Sequence, residues 1–490
     1  MPLEFELRFV PHGFTNNGGD TFILYNGSFF YNELLPHIGY NANGELSDDA
    51  TRGKHNLGPR TPMAYANDLQ ARMNNYISTD GDWIDLETTV GTSKDQIAIA
   101  PGYLQRDWEE NGRHYFQYKT TNRILNLFSV LSARYEIKRD TWNAIPLEIY
   151  YHKGHEYNLD RMMRGMKLSL DYCSANYSPY QHKQMRIIEF PRIYGEFAQS
   201  FPNTIPYSES IGFIAKVDPN SDEDIDYPMY VTAHEVSHQW WAHQVIGGNV
   251  VGSTMLSETL AQYTALMVMK KEFGPEQMKR FLNYELNGYL NGRGGEHWHE
   301  MSLCQNANQN YICYNKGSLV MYALQDYIGE EAVNRALSSF VKAVAFQEPP
   351  YTNSYELLDQ FRKVTPPDMQ YIIKDMFETI TLYENRAVSA TYTKTNDGRY
   401  EVHLTVEAKK FRIDEDEKGA EKEIPINDLI DIGVLDSAGK PIYLKKEWIR
   451  QTKCEFTITV DSLPSKAGID PINKLIDRNP DDNVVAVSGG

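Results

Sequence analysis

The sequence predicts a multidomain α+β chain in the order β, then mixed α/β, then β. Three observations carry this. The first ~150 residues are patterned as strands and loops, helical periodicity dominates from about 229 to 379, and β patterning with a tight hairpin signal returns after about 384. The expected domains are 1–150, an N-terminal β domain; 151–383, a central α/β domain; and 384–490, a C-terminal β domain.

Each element has a local reason. Residues 83–100 are rich in β-branched side chains and stop at Pro101-Gly102. Residues 112–120 alternate in part, and 143–152 read as a further strand. NNGGD at 16–20 and YNANG at 40–44 mark turns. Residues 158–174 carry Met162, Met163, Met166, Leu168 and Leu170 at helical spacing, and 185–190 return to strand. The segment 254–273 places Met255, Leu256, Leu260, Tyr263, Leu266 and Met267 on one helix face and ends at Gly274, a C-cap. Helices at 316–328 and 330–345 are separated by Gly329. Residues 387–395 and 400–408 flank Asn396-Asp397-Gly398-Arg399, a hairpin signature, and 455–460 form another strand. The charge run 414–423 lacks the fixed oxygen spacing of a calcium loop and reads as a solvated loop.

Composition narrows the function. With 48 Lys+Arg against 66 Asp+Glu the 490-residue chain carries a formal charge of −18, which argues against nucleic acid as a partner. Four cysteines form no disulfide framework or zinc-ribbon spacing; they read as buried thiols, with a Cys304–Cys313 loop disulfide as the alternative. No apolar run approaches the ~18–20 residues that span a bilayer. MPLEFELRFVPHG lacks the apolar stretch of a signal peptide, so the chain as given is expected to be soluble.

The stretch 229–263 carries the chemistry. It contains His234-Glu235-Val236-Ser237-His238, an HExxH. On a helix, residues four apart share a face, so both imidazoles can reach one metal ion, with Glu235 beside the first ligand. Imidazole and carboxylate donors with an open position suit zinc. Glu258, with nineteen residues between it and His238, is a candidate third ligand on the next helix. Tyr314-Asn315-Lys316-Gly317 opens a later helix and offers a phenol.

Together the HExxH, the downstream glutamate and Tyr-x-Lys-Gly resemble the aminopeptidase N family of zinc metallopeptidases, the gluzincins. The resemblance implies a thermolysin-like α/β catalytic domain behind the N-terminal β domain, with the C-terminal domain a β-sandwich. It implies one Zn²⁺ per chain held by His234, His238 and Glu258, Glu235 as general base for a metal-activated water, and Tyr314 as oxyanion donor. The family's Gly-x-Met-Glu-Asn motif falls on Tyr207–Ile214, where Glu209 and Gly212 keep their positions and the Met and Asn do not. By that resemblance Glu209 binds the free α-amine of a peptide substrate. The spacing to the third ligand is one longer than usual, with Gly247 and Gly248 in the loop, and Thr259 stands where Gly is common. No stretch of the given sequence is expected to form the family's C-terminal helical domain. GSTMLSETLAQYTALMVMKKEFG, YNKGSLVMYALQDYIGEEAVN and GIDPINKLIDRNPDDN look like a bacterial group whose peptidase region follows an ABC-type permease region in one polypeptide.

The expected function is therefore a zinc aminopeptidase acting on peptides with a free N-terminus. The alternatives are a non-catalytic or weakly catalytic peptide-sensing domain tethered to a transporter, and a zinc endopeptidase. Other candidates are weaker. His243 lies off the ligand face, His297-x-His299 sits in a Gly-flanked loop, and Arg293 could meet a peptide carboxylate. Trp240 and Trp241 are expected to pack the motif helix, and Ser253 and Ser257 lack a nucleophile setting.

Overall fold

The computed structural model describes residues 4–8, 23–36, 44–46, 48–58, 61–78, 81–218, 221, 224–295, 300–414 and 419–489. The turns at 16–20 and 40–43, His297 and His299, and 415–418 of the charge run lie outside the described residues. Along the chain, an N-terminal β-rich region is followed by a helical α/β region and then by β-sheets. Two compact units are formed by the described residues within 1–220, 226–253 and 341–353, and within 221–225, 254–340 and 354–490.

In the first unit, strands Ile23–Leu24, Gly27–Tyr31, Ser129–Ala133 and Ile97–Ile99 form one sheet in that order. Glu87–Ser93, Arg113–Lys119 and Tyr103–Glu110 form a second, antiparallel sheet. A mixed sheet follows: Tyr135–Trp142 pairs antiparallel with Ile145–His152, which pairs parallel with Met185–Phe190, which pairs parallel with Thr204–Ser208. A parallel pair needs a crossover, supplied here by the helix Leu159–Asn176. Every residue of Met185–Phe190 is buried, as a strand covered on both faces requires. The buried Arg186 in that strand donates from Nη2 to the Ala100 carbonyl at 2.9 Å and to Thr204 Oγ1 at 2.8 Å. Phe29, Ile99, Leu131, Tyr150, Ile188 and Phe190 share one core across these sheets.

The helix Leu159–Asn176 buries Met162, Met163, Met166 and Leu170, as its spacing predicts. Gly165 lets it close on the helix Tyr227–Ser237: a Cβ there would stand 3.1 Å from Thr232 Cγ2 and 3.3 Å from the Met229 carbonyl.

In the second unit, the helix Leu260–Phe273 ends at Gly274, whose φ of 86° is the conformation glycine supplies at a helix stop. The one-face expectation for this segment is corrected: every residue from Leu260 to Met269 is buried, so the helix is enclosed all round. The helices Gly317–Ile328 and Glu330–Val344 flank Gly329, at φ 91°. The strands Ile380–Lys394 and Tyr400–Ile413 close around the predicted hairpin, with Gly398 at φ 89°. Their sheet faces a second one built on Asp428–Leu435, Pro441–Ile449 and Lys466–Ile469. Val402, Leu404 and Val406 from one sheet and Ile430, Ile432 and Val434 from the other form a common core, a β-sandwich. All four cysteines are free. No helix among the described residues is long and apolar enough to cross a membrane.

Candidate active site

The HExxH segment lies on the helix Tyr227–Ser237, with His238 as its C-cap residue. The start is locally encoded. Asp226 caps it by accepting the Met229 N–H at 3.2 Å, Pro228 occupies the first turn, and Arg161 Nη1 pairs with Asp226 at 2.5 Å. All of the helix but Tyr227 and Val231 is buried, and His234, Glu235 and His238 are 6%, 5% and 7% exposed.

The two imidazoles stand at 86° to each other, and their Nε2 atoms are 2.9 Å apart. The other ring nitrogen of His238, Nδ1, is 2.7 Å from the Trp241 carbonyl. A carbonyl can only accept, so Nδ1 carries the proton and Nε2 presents a lone pair. That is the tautomer a metal ligand needs, and a pair of nitrogens directed at one point fits a cation of zinc's class. Trp240 and Trp241 are fully buried, and Trp240 Nε1 donates to the Ser178 carbonyl at 2.9 Å. They pack the helix, as expected.

Glu235 is felt by two neighbouring phenols. Burial first, then the charges of Glu33 and Glu235, raises Tyr31. Burial first, then Tyr227 and Glu235, raises Tyr207. Tyr207 lies on the strand Thr204–Ser208 that leads into Glu209, and its hydroxyl donates to the Pro228 carbonyl of the motif helix at 3.2 Å. The Tyr207 ring also explains Gly212, where a Cβ would come within 2.4 Å of Tyr207 Cε1. Glu209 is partly exposed and accepts the Arg192 N–H at 3.1 Å.

In the second unit, Glu258 and Tyr314 lie on two π-helical turns, Met255–Thr259 and Tyr311–Lys316, each leading into an α-helix. The turns are pinned together. Thr259 Oγ1 donates to the Cys313 carbonyl at 2.6 Å, and a Cβ on Gly317 would stand 2.3 Å from Thr259 Oγ1. Thr259 thus occupies the space that a glycine at 317 leaves. Burial first, then the charge of Glu258, raises the Cys313 thiol. Turns of this widened kind recur at functional sites because they re-aim side chains within a helix.

Lys316 has a role that the spacing did not reveal. It is 1% exposed and its Nζ lies 2.7 Å from Glu300 Oε1. Glu300 also accepts Tyr289 OH at 2.7 Å and Arg293 Nε at 2.8 Å. Burial pushes Glu300 up, but the Lys316 charge and these hydrogen bonds outweigh it and hold the carboxyl below its ordinary value. Arg293, a candidate for a peptide carboxylate, is thus paired to Glu300 and, at 3.2 Å, to Glu421. His243 is 3% exposed with Nε2 3.1 Å from the Ser200 carbonyl. Ser253 hydrogen-bonds the Gly248 carbonyl.

The buried helix, the paired imidazoles and Glu235 sit inside a stretch that matches a known family. Residues 157–379 match the family model described as the peptidase family M1 domain. The curated rice (Oryza sativa subsp. japonica) protein Aminopeptidase M1-B is 22% identical over 240 residues, 46% of this chain and 26% of the rice protein. The crystal structure of Legionella pneumophila aminopeptidase A in complex with aspartic acid superposes with a TM-score of 0.54 at 16% identity. That match covers 81% of this chain and 45% of the Legionella chain, so the fold is shared over most of this sequence. The chain spans less than half the length of either relative.

Proposed function

We propose that the chain is a zinc-dependent aminopeptidase. The observation that carries this reading is the buried, converging His234–His238 pair with Glu235 beside it, within the M1 domain. Glu258 is the proposed third ligand, on the sequence spacing of the motif. Zinc held by these three side chains supplies Lewis acidity, which polarises a carbonyl and makes water nucleophilic near neutral pH. Glu235 takes the proton from the attacking water and returns it to the leaving amine. Tyr314 donates a hydrogen bond to the oxygen that gains charge in the transition state, where the bond is worth most. Glu209 pairs with the substrate ammonium and so fixes cleavage at the first residue. Attachment to a permease region rests on the sequence resemblance alone.

The test is metal content together with an aminoacyl-substrate assay, wild type against Glu235→Gln. Retained zinc with kcat down by about 10²–10⁴-fold is expected, the usual contribution of a general base. An active Glu235→Gln enzyme would sink the scheme. Assay of a free-amine peptide beside its N-acetylated form separates the alternatives. Cleavage of the free amine alone is expected; cleavage of both indicates an endopeptidase, and of neither a sensing domain. Glu209→Ala is expected to raise KM for the free-amine substrate, and an unchanged KM would remove its assigned role.

A further inference from the structure

We propose that His152, His155, Glu189 and Glu209 form a second divalent-metal site, distinct from the HExxH pair and suited to an ion of zinc's class. The mixed sheet builds it. His152 ends the strand Ile145–His152, and His155 follows in a turn closed by its N–H to the His152 carbonyl at 3.0 Å. Glu189 is next to last in the parallel strand Met185–Phe190, and Glu209 follows the end of the next parallel strand, Thr204–Ser208. Three parallel strands thus deliver their carboxyl ends to one place, the edge at which open α/β sheets bind ligands.

One ligand atom from each of the four residues lies within 4.8 Å of the others. Glu189 is fully buried; it accepts the His152 N–H at 2.5 Å, contacts His155 Nδ1, and lies 3.4 Å from His152 Nδ1. Among the described residues no lysine or arginine side chain pairs with Glu189 or Glu209. Glu189 holds its carboxylate fully out of water beside a second carboxylate, a placement that is costly unless a positive group or ion balances it. His152 is 9% exposed, and its Nε2 is buried without a hydrogen-bond partner. The Tyr135 ring stacks on His152 at 5.5 Å, and its hydroxyl bonds the Glu189 carbonyl at 2.9 Å, which holds both donors in place.

Two imidazoles and two carboxylates are a zinc-class donor set. The edge of a tetrahedral zinc site is about 3.4 Å, the separation His152 Nδ1 already has from Glu189, while His155 Nδ1 must move off Glu189 and the wider pairs must close. The partly exposed members, His155 and Glu209, have the freedom to do so. A carboxylate has two oxygens, so Glu209 can hold a metal with one and face a substrate amine with the other. The inference does not depend on the HExxH reading.

The test uses the 490-residue chain, stripped by chelator and dialysed against buffered free zinc. Zinc per chain is read by elemental analysis, and cobalt(II) is read by its visible absorption. Wild type is expected to hold two equivalents. His155→Ala and Glu189→Gln are each expected to lose one, with cobalt absorption changed while the circular dichroism of His155→Ala is kept. The double variant His234→Ala, His238→Ala is expected to lose the other. If Glu189→Gln does not fold, His155→Ala decides alone, because it alters a partly exposed turn. Equal zinc and cobalt spectra in wild type and His155→Ala overturn the proposal. A single equivalent lost only in His155→Ala upholds it and overturns the HExxH reading, and the reverse pattern does the opposite.

Discussion

His243 shows how far a side chain's neighbours decide its chemistry. Burial, only partly offset by the Ser200 carbonyl, lowers its imidazole to about 4. The unfolded value is near 6.5, so between those limits the unfolded chain binds more protons than the folded one. This stabilisation is complete above about pH 6.5 and is lost as pH falls toward 4, on the order of 2–3 kcal/mol. Denaturant midpoints from pH 7 to 4 are expected to show this fall, flattened in His243→Gln; an equal fall in the variant would exclude His243 as its source. At this scale HExxH was legible because it is contiguous. Glu189 was not: within MRIIEF it resembles any strand residue until its neighbours are known.

The two π-helical turns carry the next scale. Sequence periodicity located the helices that follow them and missed the turns, because one extra residue per turn leaves no periodic signature. Packing enforces them: Gly317 must lack a Cβ because Thr259 fills that space. Gly317→Ala is therefore expected to cost about 1–3 kcal/mol through overpacking. Adding Thr259→Ala should recover part of that loss in a double-mutant cycle. Additive losses in thermal melts would show that the two residues do not share the contact. The strand register at the edge of the mixed sheet was equally hidden, since Ile145–His152 and Met185–Phe190 pair across an intervening helix.

For the whole molecule, stability depends on contacts distant in sequence. In the β-sandwich, Lys410 is 5% exposed and bonds Asp375 at 2.5 Å and Asp428, from the facing sheet, at 2.8 Å. Burial raises Asp428 despite Lys410. Lys410→Met strands Asp428 in the interior, while Asp375 keeps Arg412 Nη2 at 2.6 Å, and is expected to cost about 3–5 kcal/mol in denaturant melts. A loss below 1 kcal/mol would mean that water reaches the pair. Metal at the proposed sites would add to this, because a ligand bound only to the folded chain stabilises it by mass action. Chelation is expected to lower Tm, and restoring zinc to recover it; an unchanged Tm would count against tight binding.

The sequence by itself determined the β, α/β, β order, the capped helix with His234, Glu235 and His238, and the hairpin at Asn396–Arg399. Those features are set by residues within a few positions of one another, where spacing, capping and turn chemistry act. Tertiary structure alone decided the His238 tautomer, the locking of Thr259 against Gly317, the pairing of Lys316 with Glu300, and the meeting of His152, His155, Glu189 and Glu209. Each of these depends on a partner brought near by strand pairing, helix packing or a reversal of the chain. The protonation, strain and charge balance of a buried group follow from what surrounds it, and its sequence neighbours do not specify that.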